Sequence, residues 1–326
     1  MISTLWAITK NSFREIIRQP VYGVLILTGM VLIGASPAIT MFSMARDESL
    51  MVDIGLTTIM LLGLVIAVLS ATQVISREIE AQTVGAVLSK PVARFTFVLG
   101  KFLSVSLAMA VSWFVLTVVL LATLRIGVPS SASWEPDVPA FVALLAPLFL
   151  AIGLGMYCNF FYRWNFASTA VALAFAFYAL ALAGMLLISP AWQFQFIPMV
   201  FLQRHAGEVA KTAVLVFLGV WVLSSIAVAA SVRLNVVVNV VICLTVFFVG
   251  MISQFLFGRF ADDAWWAWAA LRVVPSLHVF WVGDALMSEA PFIPMPYVQM
   301  ASVYAVVYCG AMVAFAAFLF ERREVT

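Results

Sequence analysis

The residues able to do chemistry in this chain are few, and their spacing argues against catalysis. His205 and Glu208 form an H-x-x-E, and His278 stands six residues before Asp284. Neither supplies the i, i+4 pair of ligands on one helix face that a zinc hydrolase needs. Cys158, Cys243 and Cys309 lie alone in apolar runs without C-x-x-C spacing, so they read as small core hydrophobes. The 15 methionines are scattered as packing residues and do not group as soft metal ligands. No G-x-x-x-x-G-K-[ST] occurs, because "LGKF" at Leu99 lacks both the upstream glycine and the hydroxyl residue. We therefore assign no catalytic residue, no metal ligand and no cofactor to this chain, and expect any ATP and Mg to sit on a partner.

The surroundings of these residues explain the poverty. Of 326 residues 65% are hydrophobic and 10% charged, with a mean hydropathy of +1.12, which is a membrane composition. Charge-free runs cover Val21 to Met44, Ile54 to Ser76, Phe102 to Leu124, Val138 to Tyr162, Trp164 to Leu202, Thr212 to Val232, Leu234 to Gly258 and Ala290 to Phe320. A helix needs roughly 20 apolar residues to cross about 30 Å of hydrocarbon, and all eight runs suffice. None alternates with period 2, and a bilayer leaves no water for stray amides, so the spans must be helices. The expected fold is an all-α polytopic membrane protein of about eight transmembrane helices in a single domain, residues 1–326. Six spans with re-entrant segments is the alternative. The first run is too long, and too far from the start, to read as a cleavable leader.

Charge fixes the expected orientation. With eight crossings from an inside start, eleven of the 17 cations and five of the 15 anions fall on the inner side, leaving six cations and ten anions outside. The positive-inside rule then places both termini in the cytoplasm. The expected location is the cell inner membrane. No ionisable side chain falls near the middle of a run, which argues against a proton-coupled transporter. No nucleic-acid partner is expected.

Two inner-side elements have a shape. Residues 3–19 project as an amphipathic helix, with Leu5, Trp6, Phe13, Ile16 and Ile17 on one side, Ile8 at its edge, and Lys10, Arg14 and Arg18 at i, i+4, i+8 on the other. That is the pattern of a helix lying among anionic headgroups, ended by Pro20. Residues 76–97 form a polar hairpin between two spans. Good helix formers run from Arg77 to Ser89, and Pro91 breaks them. Val84, Val87 and Leu88 cluster beside Glu80, with Ile75, Ile79 and Ala86 opposite, so apolar surface is left for a partner.

On the outer side, residues 259–297 read as an interfacial segment, with Trp265, Trp266 and Trp268 beside Asp262 and Asp263 as an aromatic anchor. Ser189 to Lys211 reads as an outer loop, a re-entrant piece or an interfacial helix. "RWNFASTAV" at Arg163 and "RLNVVVNVV" at Arg233 each place Arg-x-Asn just before a span, with Asn suited to a helix start.

The hairpin "REIEAQTVGAVLSKPVARFTFVLGK" resembles the signature of ABC exporter permeases of the type V fold, through Glu78, Glu80, Thr83, Leu88, Ser89, Pro91, Arg94, Phe97, Gly100 and Lys101. Gln82 stands where that pattern has glycine. The closing "FLFERREV" is similar to the family's F-x-R-R-E ending, and the amphipathic start to its elbow helix. Within the group the likeness is nearest to permeases linked to multi-copper enzyme maturation, such as the nitrous oxide reductase accessory permease. The resemblance implies a usually dimeric permease moved by a separate ATP-binding cassette subunit. Arg77, Glu78, Glu80, Thr83, Val84, Val87 and Leu88 would then be the docking helix, and Pro91, Arg94, Gly100 and Lys101 the loop signature. The partners implied are the ATPase subunit, a second permease copy and membrane lipid. A non-transporting scaffold or maturation factor driven by the same ATPase, and an intramembrane enzyme, are the alternatives.

Overall fold

The computed structural model describes residues 2–40, 47–80, 94–128, 137–194, 206–260, 264–286 and 292–321. Among these no β-strand forms, and one isolated bridge joins Ile188 to Phe194. The helices are α1 (Ile2–Ile17), α2 (Pro20–Thr40), α3 (Asp47–Glu80), α4 (Arg94–Ile126), α5 (Val138–Tyr162), α6 (Phe166–Leu187), α7 (Ala206–Ser231), α8 (Val236–Met251), α9 (Ser253–Phe257), α10 (Trp265–Val273), α11 (Gly283–Leu286) and α12 (Met295–Glu321). Seven of them are long and apolar enough to cross a membrane. An eighth span exists if α8 and the 253–260 stretch count as one, although they meet at 67°. The protein is therefore an all-helical, multi-pass membrane protein.

Burial divides the spans into two classes. In α3, α4 and α7 between 56% and 78% of the apolar window is buried, against 17% to 33% in α2, α5, α6 and α12. The first three make the centre of the bundle and the others surround it. Because lipid tails are as apolar as leucine, association here rests on close packing of small residues. Gly29 of α2 shows this: a Cβ there would meet Leu116 of α4 and Leu62 of α3, both at 2.7 Å.

Chain ends and hydrogen bonds give the bundle a polarity. Asn239 of α8 donates from Nδ2 to Thr72 Oγ1 of α3 (3.0 Å) and to the Ala227 carbonyl of α7 (3.1 Å). The last turns of α3 and α7 and the first of α8 thus share one end with α1, called the α1 end below. At the opposite end Arg125, 7% exposed, closes α4. Its Nε donates to Asp137 Oδ2 at 2.8 Å, Nη1 to the Met185 carbonyl at 2.6 Å and Nη2 to the Ile188 carbonyl at 2.7 Å. Asp137 Oδ1 also accepts the Ala140 amide as the N-cap of α5. One guanidinium so joins the ends of α4 and α6 to the start of α5.

Two of the apolar runs are longer than the helices they contain. Of the described part of Trp164 to Leu202, residues 164–194, Phe166–Leu187 is helical; Arg125 captures the carbonyls at its end and the chain then turns through Trp192 at φ 58°. Leu234 to Gly258 bends after Met251. There Gly250 is indispensable, because a Cβ on it would lie 2.7 Å from the Pro275 carbonyl oxygen. The two Arg-x-Asn sequences act alike. Asn165 Oδ1 accepts the Ser168 amide to cap α6, and Asn235 Oδ1 accepts the Val238 amide to cap α8, each at 3.0 Å.

The stretch after α10 runs along α12 and is held by three tyrosines on one face of that helix. Tyr308 Oη donates to the Val273 carbonyl (2.9 Å), Tyr304 Oη accepts the Ser276 amide (3.1 Å), and Tyr297 Oη donates to the Val279 carbonyl (2.6 Å). Leu277 and Phe280 of this stretch are fully buried, Phe280 against Gly219 in the middle of α7. His278, next to them, has a buried Nδ1 with no hydrogen-bond partner among the described residues. Trp265, Trp266 and Trp268 of α10 remain outward, 49% to 83% exposed.

Candidate functional site

The first two turns of α4 collect more of the chain than any other place at the α1 end. Arg94 begins the helix and donates from Nη1 to the Glu321 carbonyl at 2.7 Å and, at 3.4 Å, to that of Phe320. One turn on, the Phe97 ring stacks on Phe320 with centroids 5.4 Å apart. Arg233, just past α7, donates from Nη2 to the Leu319 carbonyl at 3.1 Å. The free carbonyls that end any α-helix are thus met by two guanidinium groups, whose charge also suits the negative end of the helix dipole. The closing aromatic of "FLFERREV" and the Arg94–Phe97 part of the hairpin signature are one contact in space.

The next two signature residues hold α1. Gly100 leaves room for it, since a Cβ there would lie 2.8 Å from Ile8 Cγ2. Thr9 Oγ1 hydrogen-bonds to the Gly100 carbonyl at 3.3 Å across the same gap. Lys101, 2% exposed, donates from Nζ to Ser12 Oγ at 2.9 Å and lies 5.2 Å from the centre of the Phe97 ring. A buried ammonium is costly unless it is met by dipoles and a π-face, and Ser12 and Phe97 contribute both.

This docking adds a buried face to the sequence reading of α1. Its polar Thr9 and Ser12, with Ile16, form the buried face against α4, while Trp6, placed by projection with Leu5, is 61% exposed. The helix has three sectors: one facing the protein, one apolar and outward, and one basic. Lys10 and Arg14 occupy the last, Arg18 follows in the turn just past the helix, and all three are exposed. Small hydroxyl residues gave no signal because projection counts them as polar.

Arg77, Glu78 and Glu80 belong to the last turns of α3, which runs from Asp47 to Glu80. Thr83, Val84, Val87, Leu88 and Pro91 lie outside the described residues. The structure therefore gathers Arg94, Gly100 and Lys101 with α1 and the end of α12.

A feature without a sequence-level prediction is an aromatic collar at the α5–α6 corner. Phe160, Phe161, Tyr162 and Trp164 are 57% to 79% exposed, and Tyr162 and Trp164 lie 5.7 Å apart. The corner is set by Arg163 in the left-handed region, φ 56°, with Asn159 Nδ2 donating to the Trp164 carbonyl at 2.6 Å. Tyr and Trp gathered at one level of a span mark a membrane–water interface.

Among the described residues no group of three His, Cys, Asp or Glu could hold a metal ion. Cys243 and Cys309 are buried free thiols, and Cys309 Sγ approaches the Trp221 carbonyl at 3.6 Å. The family model described as ABC-2 family transporter protein matches residues 6–198. No curated protein and no solved structure matches the chain.

Proposed function

The chain belongs to the ABC-2 transporter family, a membrane permease component and not the enzyme of its system, and on that premise we propose that it is the membrane-spanning subunit of an ATP-driven exporter. Permeases of this family generally work with an ATP-binding cassette subunit. In our reading that subunit docks on residues 76–97, with Arg77, Glu78, Glu80, Thr83, Val84, Val87 and Leu88 at the contact. Charges at such a rim fix register more than affinity. The α1 end is cytoplasmic, the membrane is the cell inner membrane, and a second permease copy completes the transporter.

The observation that carries this reading is the convergence on the first two turns of α4. The hairpin feeds directly into Arg94, where α12 is clamped, and Gly100 and Lys101 follow, where α1 is docked. On the other side the hairpin is fed by α3, which packs on α4 and α7. Force applied between Glu80 and Arg94 would reach α1, α3, α4 and α12 together, the property required of a site that converts hydrolysis elsewhere into movement here.

The test is co-expression with a candidate ATP-binding cassette subunit, followed by co-purification and measurement of its ATP hydrolysis. Wild-type permease should stimulate that ATPase. Glu80→Lys, and Val87→Asp with Leu88→Asp, should abolish stimulation while membrane insertion persists. Full stimulation by these variants would refute the docking assignment.

A further inference from the structure

A groove of about 560 Å³ opens between α2, α5 and α6 at the α1 end, within the roughly 300–1,000 Å³ typical of small-molecule sites. It is bounded by Pro20 to Met30 on α2, Leu148 to Asn159 on α5 and Asn165 to Ala174 on α6. At about 1.5 Å per residue these stretches are about 14–16 Å long, half of a hydrocarbon core of about 30 Å. The groove is therefore as deep as one leaflet.

Its polarity runs in one direction. Arg18, Asn159 and Asn165 are the polar residues of the lining, and all lie at the mouth; the rest is Pro, Gly, Ala and larger apolar side chains. The aromatic collar beside Asn159 and Asn165 places that mouth at headgroup level. Arg18, in the turn just past α1, follows the exposed Lys10 and Arg14, and among the described residues no carboxylate is hydrogen-bonded to its guanidinium. Asn165 spends its Oδ1 on the α6 cap, so its Nδ2 donor remains for a ligand. An apolar slot about one leaflet deep, with its cation and amides at the interface, is complementary to an anionic amphiphile.

We propose that the groove holds an acyl chain of an anionic glycerophospholipid drawn from the leaflet on the α1 side, with its phosphate against Arg18 and Asn165. The assignment does not depend on which leaflet that is, nor on the ATPase contact. Gly23 of α2 lines the slot, and a Cβ there would find its nearest atom, Val171 Cγ2, at 4.0 Å. A larger residue at 23 has room to grow into the groove.

The test is native mass spectrometry of the full chain released from phosphatidylcholine nanodiscs containing phosphatidylglycerol as a minor component. Wild type should retain phosphatidylglycerol in preference to phosphatidylcholine. Arg18→Gln should lower that preference about fivefold, the effect of roughly one cation near an anionic surface. Gly23→Leu should lose the retained lipid altogether while keeping wild-type thermal stability. Equal retention of the two lipids by wild type, or undiminished retention by Gly23→Leu, would overturn the proposal. So would efficient disulfide cross-linking of two copies through Gly23→Cys, which would show the groove covered by a second chain.

Discussion

The guanidinium of Arg94 reaches the Glu321 carbonyl at 2.7 Å across 227 residues of sequence, and one turn later Phe97 stacks on Phe320. The start of α4 and the end of α12 are therefore a single structural joint. Phe320 is fully buried, and removing a buried phenyl ring costs about 3–5 kcal/mol. Phe320→Ala should lower the unfolding temperature in detergent markedly, whereas Arg94→Gln, whose bond to Glu321 is exposed, should cost only about 1 kcal/mol.

Gly100 sets how near α1 can come. Gly100→Val would place methyl groups where Ile8 now lies, and such overpacking costs about 1–3 kcal/mol. The expected outcome is partial release of α1. A cysteine introduced at Ser12, 1% exposed in the native packing, should be slow to react with maleimide in the Gly100 background and fast in the valine variant.

At the opposite end, Asp137→Ala removes both the carboxylate held by Arg125 and the cap of α5. Stripping one partner from a buried ion pair costs about 3–5 kcal/mol, because the remaining charge stays buried. Thermal unfolding should show this as the largest single-residue loss at that end. Asp137→Asn, which keeps a cap acceptor, should lose less.

The three tyrosines of α12 predict a graded effect on the 273–280 stretch. Side-chain hydrogen bonds within membrane proteins average about 0.6 kcal/mol. Each single Tyr→Phe change should therefore be nearly silent, and the triple change at 297, 304 and 308 should raise amide exchange at Ser276, whose N–H is bonded to Tyr304.

How much of this was visible in the sequence depended on the range of the interaction. Helix existence followed from apolar length, and the caps at Asn165 and Asn235 followed from local spacing. The break after Met251 did not, because it depends on Gly250 meeting Pro275 across a loop. Nor did the burial of Thr9 and Ser12, since a helical projection cannot know that a lysine and a backbone carbonyl wait on α4. For the site, the hairpin signature was legible as a pattern. That its Arg94, Gly100 and Lys101 act by fastening α12 and α1 needed the third dimension.

α3 runs unbroken from Asp47 to Glu80, 34 residues and so about 51 Å, some 20 Å longer than the hydrocarbon it crosses. With no proline within it to act as a hinge, this rod is a lever: a tilt imposed at Glu80 must reappear at Asp47 with opposite sense. Movement on one face of the membrane is then obliged to have a counterpart on the other.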